Sequence, residues 1–194
     1  LLFIFLVFIV LTFSRILYLT VVVIALLILI TKKLYRRSIV FLFGFLLLIF
    51  VAPKPGGEGV NLGRLFSVQS RLNDYKLALQ IWQKNPVFGV GYNRIRYEKI
   101  KLNIEEEKDL VTSHSGGSFH SSLLVILVSG GIVGFMGFMG VLYSFAKMSR
   151  PIAYFVLFLS LLSLADNIFL HPFVLFLFLS IVLLDSFSLS RRQQ

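Results

Sequence analysis

The stretch DLVTSHSGGSFHSSLLVILVSGGIVG, residues 109–134, passes from polar, Ser- and Gly-rich sequence straight into an apolar run. That run continues to residue 146, beyond the roughly 17–25 residues a helix needs to cross a bilayer. It predicts a membrane helix with His120 at its mouth. An imidazole at such a boundary is either an interfacial residue bonded to a loop carbonyl or a group with work to do.

Composition supports the bilayer as solvent. The chain is 57% hydrophobic with a mean hydropathy of +0.89, against roughly 45–50% apolar residues in soluble domains. Phenylalanine alone occurs 21 times in 194 residues, more apolar surface than a soluble core of this length absorbs. There is no cysteine, which excludes disulfides, thiolate catalysis and Cys-ligated metals. The net charge of +10 would suggest nucleic acid in a soluble protein. Here the basic residues fall mainly at helix ends and in one long loop, where topology and anionic lipid account for them, so no nucleic-acid partner is expected.

Outward from the opening stretch, the chain divides into three. Residues 1–52 hold apolar runs at 1–13, 16–31 and 38–52, read as transmembrane helices. The first is short and starts at Leu1 with no basic region before it, so it reads as the end of a truncated helix in a fragment rather than as a signal peptide. Residues 53–118 are a large polar insertion. Residues 119–194 hold further apolar runs at 119–146, 151–165 and 173–187, then a short tail. Lys32, Lys33, Arg36 and Arg37, then Lys147 and Arg150, then Arg191 and Arg192 mark alternate connections. The positive-inside rule makes these cytoplasmic. The Ser14-Arg15 turn, the 53–118 loop and the Asp166–His171 turn then share the outer face. The expected fold is an all-α polytopic membrane protein with a large outer loop.

Within that loop, residues 70–84 (SRLNDYKLALQIWQK) read as an amphipathic helix. Leu72, Tyr75, Leu79 and Trp82 form its apolar stripe, Ser70 is the expected N-cap, and Pro86 with Gly89-Val90-Gly91 turns the chain away. Tyr75 and Trp82 suit a helix lying on the outer leaflet. Glu105-Glu106-Glu107 reads as a solvated face. In the helix after His120, Gly131, Gly134, Gly137 and Gly140 recur every three residues, and Gly130 with Gly134 makes a GxxxG; these predict close helix packing.

The residues able to carry chemistry lie on the expected outer face. Arg15 either snorkels to the headgroups or faces a cavity and holds an anion; topology does not require an arginine there, which favours the second. Arg71, near the start of the amphipathic helix, sits where the helix dipole disfavours a cation by about 0.3–1 kcal/mol, a cost that a bound phosphate or carboxylate reverses. Arg64, Arg94 and Arg96 are further cations of this face. His120, with Ser118 as cap, is expected in the first helical turn, where the dipole favours the neutral ring that a general base requires. His114 is a weaker rival in flexible sequence. Asp166 and His171 bracket the last outer turn and can orient another side chain. Three histidines without close spacing argue against zinc, and no metal or cofactor is expected.

In order and spacing these elements resemble the O-antigen ligase/polymerase family of bacterial envelope glycosyltransferases, over its C-terminal half. The resemblance rests on Ser14-Arg15 between two membrane helices, then Arg71, Trp82, Pro86, Gly89 and Gly91 as Arg-x10-Trp-x3-Pro-x2-Gly-x-Gly, then His120, Leu123, Leu124, Gly131 and Gly134. It implies a GT-C-like helical bundle in the bacterial inner membrane. It implies transfer of a glycan, with inversion and without metal, from an undecaprenyl-diphosphate carrier to a hydroxyl of a glycan or lipid A-core acceptor at the periplasmic face. By position, Arg15 and Arg71 match the family's diphosphate-binding arginines and His120 its catalytic histidine; Arg64, Asp166 and His171 are supporting candidates. Many members carry Asn after this histidine, where Ser121-Ser122 stand here. The rival reading is a transporter or flippase component that binds the anionic lipid-linked glycan without transferring it.

Overall fold

A computed structural model describes residues 2–33, 35–52, 66–102 and 118–192. Among these residues the chain is all helical, with eight helices and no strand. It forms two compact units, Leu1–Val68 and Gln69–Gln194.

The first unit contains α1 (Leu2–Leu11), α2 (Arg15–Lys32) and α3 (Tyr35–Val51). Ser14 caps α2 by accepting from the Leu17 amide at 3.4 Å, which satisfies one of the amides that every helix start leaves open. Lys33 ends α2 in the left-handed conformation. Val10, Tyr18 and Phe45 form the core. The Tyr18 hydroxyl donates to the Val10 carbonyl, and its ring meets Phe45 edge-on with centroids 6.0 Å apart. The Ser14-Arg15 turn between two apolar helices is therefore as expected.

The second unit contains α4 (Phe66–Trp82), α5 (Ile95–Lys101), α6 (Ser122–Ala146), α7 (Arg150–Ser163) and α8 (Pro172–Arg192), α4 beginning just ahead of the unit boundary. It has two apolar cores. Ala78 and Ile81 of α4, Ile95 of α5, and Phe119, Leu124, Val125 and Val128 make the first. Leu142 of α6, Ile152, Val156 and Leu159 of α7, Phe169, and Phe178 and Val182 of α8 make the second. Helices α2 and α6 are long and apolar enough to cross a membrane; 39–51, α7 and 172–187 are shorter apolar stretches.

Between the two cores α6 is broken. Gly131 has φ 63° and ψ −165°, outside the helical region. The segment from Pro86 to Gly91 crosses the break and supplies the hydrogen bonds that the helix gives up. In a continuous helix, the carbonyls of residues 128 and 129 would accept from the amides of 132 and 133. Instead Val128 and Ser129 accept from Val90 and Gly91 at 2.9 and 3.0 Å, while Ile132 and Val133 donate to Pro86 and Val87 at 2.9 and 3.2 Å. These two carbonyls and two amides are thus paired, as an apolar surrounding demands. The Trp82 indole also donates to the Pro86 carbonyl, at 3.1 Å. Only glycine fits the two crossing points. A Cβ on Gly89 would lie 2.5 Å from the Gly131 nitrogen, and one on Gly131 would lie 2.3 Å from the Val87 oxygen.

Several expectations change. Helix α4 begins at Phe66, so Ser70 lies inside it and Arg71 is in the second turn; the dipole argument for an anion at Arg71 loses its basis. The face of α4 turned to the core carries Ala78 and Ile81, with Tyr75 and Trp82 half-buried, whereas Leu72 and Leu79 of the expected stripe are exposed. Gly134, Gly137 and Gly140 meet no atom within 4 Å of an added Cβ among the described residues. They do not pack a neighbouring helix there, and Gly131 breaks the helix instead of lining it.

Candidate active site

The site is assembled at the start of α6. Ser121, not Ser118, is the N-cap, accepting from the Leu124 amide at 3.3 Å. His120 therefore stands one residue before the cap and not in the first turn. Ser121 and Ser122, both buried, bind this end of α6 to the turn between α7 and α8. The Ser121 hydroxyl donates to the Ser163 carbonyl at 2.8 Å, and the Ser122 hydroxyl to the Asp166 carbonyl at 3.3 Å. The Phe169 amide donates back to the Ser122 hydroxyl at 3.3 Å. The two serines thus anchor the turn that carries Asp166.

Helix α4 supplies the opposing side. Arg71, Asp74, Tyr75, Ala78 and Ile81 follow one another at three- and four-residue spacing, so they share a face. Its apolar end packs in the core and its polar end meets His120. The Asp74 Oδ2 accepts from the His120 backbone amide at 3.0 Å and lies 2.5 Å from Nδ1 of its ring. Arg71 Nη2 lies 3.3 Å from Asp166 Oδ1. The Tyr75 hydroxyl donates to the Leu164 carbonyl at 2.6 Å, which ties the same face to the same turn. The Asn167 amide donates to the Phe119 carbonyl at 2.6 Å, and the buried Lys99 donates to the Ser118 carbonyl at 2.8 Å with its ammonium 5.0 Å from the Phe119 ring centroid. Both residues flanking His120 on its N-terminal side are therefore held at their carbonyls.

The electrostatics follow from burial. Partial burial pushes the Asp166 carboxyl above its ordinary range, and this outweighs the opposing pull of the Arg71 guanidinium and of His120. The Asp74 carboxylate is well covered, with 18% of its side chain exposed, while the imidazole it holds is 61% exposed. A fixed carboxylate beneath an open imidazole can orient the ring and leave its other nitrogen facing a reactant.

Of the residues singled out from the sequence, Arg71, His120 and Asp166 are brought together in the second unit. Arg15 is the first residue of α2 in the other unit, half-buried and next to the Ser14 cap. His171 is exposed at the far end of the Asp166 turn, and its carbonyl accepts from the Leu175 amide at 3.1 Å; the bonds that hold the turn to α6 run through Asp166, Asn167 and Phe169. Arg94 and Arg96 lie at the start of α5. Arg64, His114 and Glu105-Glu106-Glu107 lie outside the described residues. The sequence reading missed Asp74. Its signal was present, since it follows Arg71 by one helical turn and shares its face.

The O-antigen ligase family model matches residues 1–139. No curated protein and no solved structure matches the chain. The matched span takes in Arg15, Arg71, Asp74, the Pro86–Gly91 segment and His120, and covers most of the sequence. The chain belongs to the O-antigen ligase family.

Proposed function

We propose that this chain is part of an inverting, metal-independent glycosyltransferase of the bacterial inner membrane. It moves a glycan from an undecaprenyl-diphosphate carrier to a hydroxyl of a glycan or lipid A-core acceptor at the periplasmic face. The family implies a glycosyltransferase-like enzyme with a lipid-linked glycan and an acceptor as partners. The observation that carries the reading is the open imidazole of His120, held on the face of α4 that also carries Arg71.

His120 takes the proton of the acceptor hydroxyl. The acceptor oxygen attacks the anomeric carbon as the bond from that carbon to the diphosphate oxygen breaks, and undecaprenyl diphosphate departs with the electron pair. General-base help of this kind is worth roughly 10²–10⁴-fold in rate. Negative charge grows on the leaving diphosphate, and Arg71 offers an always-charged guanidinium to neutralise it, which lets the reaction proceed without a metal. The Arg71–Asp166 contact leaves both side chains about a third or more exposed, so a diphosphate competes for Arg71 against a weak, solvated pair. Val68, Leu72 and Leu79 leave a second, exposed apolar stripe on α4; it suits a helix lying against the outer leaflet, where a polyprenyl tail enters sideways. In this arrangement 53–118 is the periplasmic loop and the bundle is GT-C-like.

The broken α6 favours the transporter reading at first sight, because transporters place unwound helix ends around their substrates. Here the carbonyls of Val128 and Ser129 and the amides of Ile132 and Val133 are taken by the segment from Pro86 to Gly91, so these four groups are not offered to a ligand. The deciding experiment is complementation of a ligase- or polymerase-deficient strain with the full-length parent, wild type and His120→Ala. Loss of product with accumulation of lipid-linked glycan is expected. Full activity of His120→Ala would remove the base and with it the enzymatic reading.

A further inference from the structure

We infer that Asp74 is the positioning residue of this site: it fixes His120 in the tautomer that presents a bare Nε2 to the acceptor hydroxyl. The inference rests on the reading of His120 as base. One carboxylate oxygen, Asp74 Oδ2, engages His120 twice, taking the backbone amide at 3.0 Å and meeting ring Nδ1 at 2.5 Å. A carboxylate only accepts, so the hydrogen between the two sits on Nδ1 and the lone pair of the neutral ring is on Nε2. Holding the backbone and the ring from one point also limits rotation of the imidazole about its side-chain bonds.

Asp74 is itself fixed. It lies on α4 between Arg71, bound to Asp166, and Tyr75, bound to the Leu164 carbonyl, and Ala78 one turn on is fully buried. The carboxylate is thus mounted on a packed helix, while the ring it steers is mostly open. In an acid–His–nucleophile arrangement the acid sets tautomer and orientation without itself taking the proton. A surface ion pair that merely joined α4 to α6 would have no need to leave the imidazole exposed, and the serine and Tyr75 bonds already tie both elements to the end of α7 and the turn after it. Among the described residues Asp166 also interacts electrostatically with His120, and it engages Arg71.

The test uses the full-length protein in lipid nanodiscs, labelled with ¹⁵N-histidine, the His120 signals being assigned by their loss in His120→Gln. The wild type is expected to show protonated Nδ1 and unprotonated Nε2 at His120, and Asp74→Asn a mixture of tautomers. A wild type with the proton on Nε2, or an Asp74→Asn protein with the wild-type pattern, overturns the inference. With membranes holding the native lipid-linked glycan as donor, Asp74→Asn should lower kcat by about 100-fold or more while the donor KM stays near wild type, and Asp74→Glu should recover part of the rate. Unchanged kcat in Asp74→Asn also overturns it. If His120→Gln keeps full activity, the enzymatic reading itself has failed; if only Asp74→Asn does, the pairing alone has failed.

Discussion

Helices α2 and α6 are both apolar enough to cross a membrane, yet they are built differently. The first runs unbroken from its Ser14 cap to Lys33, and its Thr20 and Thr31 hydroxyls turn back onto their own helix at the Ile16 and Leu27 carbonyls. The second opens at Gly131 and completes its hydrogen bonding with a segment some forty residues earlier in the chain. Apolarity decides that a segment enters the bilayer; it leaves open whether the segment satisfies its backbone alone. A helix that borrows partners gains a fixed relation to whatever lends them. Here the lender is the Pro86–Gly91 segment, which follows directly on α4 and so connects the break to the helix that positions His120.

Substitution at the crossing glycines should break this contrast most sharply. Gly131→Ala or Gly89→Ala sets a Cβ within about 2.5 Å of backbone atoms in a conformation that L side chains rarely adopt. Strain and overpacking together should cost about 3 kcal/mol or more, read as loss of folded protein in a detergent-extraction or thermal-shift assay. Wild-type stability in both variants would mean that the segment does not cross the helix as described. A smaller effect is expected where the crossing segment is held at its two ends. Glu98 pairs with Lys84 at 3.0 Å and with Lys101 at 2.5 Å, which ties the end of α4 to α5. These lysines, through the Lys101 bond first, hold its carboxyl below the ordinary range. A depressed carboxylate contributes stability above its unfolded pKa and loses it as pH falls through the folded one. Glu98→Gln should therefore lower the thermal midpoint at neutral pH, by a contribution of about 1 kcal/mol or less, and the gap to wild type should close as the medium is acidified through the carboxylate range. A constant gap at all pH values would show that the charge is not what matters. The smallest effect belongs to Gly137→Ala, where the added methyl meets open space. It should leave stability unchanged or raise it by up to about 1 kcal/mol through helix propensity; a clear loss would reveal a contact along α6 that the glycine serves.

Much of this was legible in the sequence. The apolar runs gave α1 to α3 and α6 to α8, the amphipathic pattern gave α4, and α5 was not foreseen; Ser-Arg at 14–15 and the polar-to-apolar change at His120 located two helix starts to within a few residues. Arg71, His120 and Asp166 were singled out from charge and position and lie together. The orientation of α4 was not legible, because Leu72 and Leu79 on one side and Ala78 and Ile81 on the other give it two apolar faces and periodicity alone does not choose between them. The break at Gly131 was hidden for a different reason. It is made by backbone groups, whose pairing leaves no mark on side-chain type beyond the glycines themselves, and evenly spaced glycines read more simply as a packing stripe. Asp74 was passed over as one polar residue among several, since its partner lies 46 residues away and no local pattern announces a pairing at that range.

The shared backbone bonds at Gly131 also bear on how the protein is made. Residues 86–91 leave the ribosome before residues 122–146, so the strap exists before the helix it will cross. In lipid, an α6 opened at Gly131 without the strap would strand two carbonyls and two amides, at several kcal/mol for each unpaired group. The halves of α6 therefore separate without that loss only as residues 86–91 arrive, so opening the helix is a step of tertiary assembly rather than of forming the helix itself. A chain cut between α5 and α6 and supplied as two pieces should regain its fold only when the first piece is present as the second one inserts.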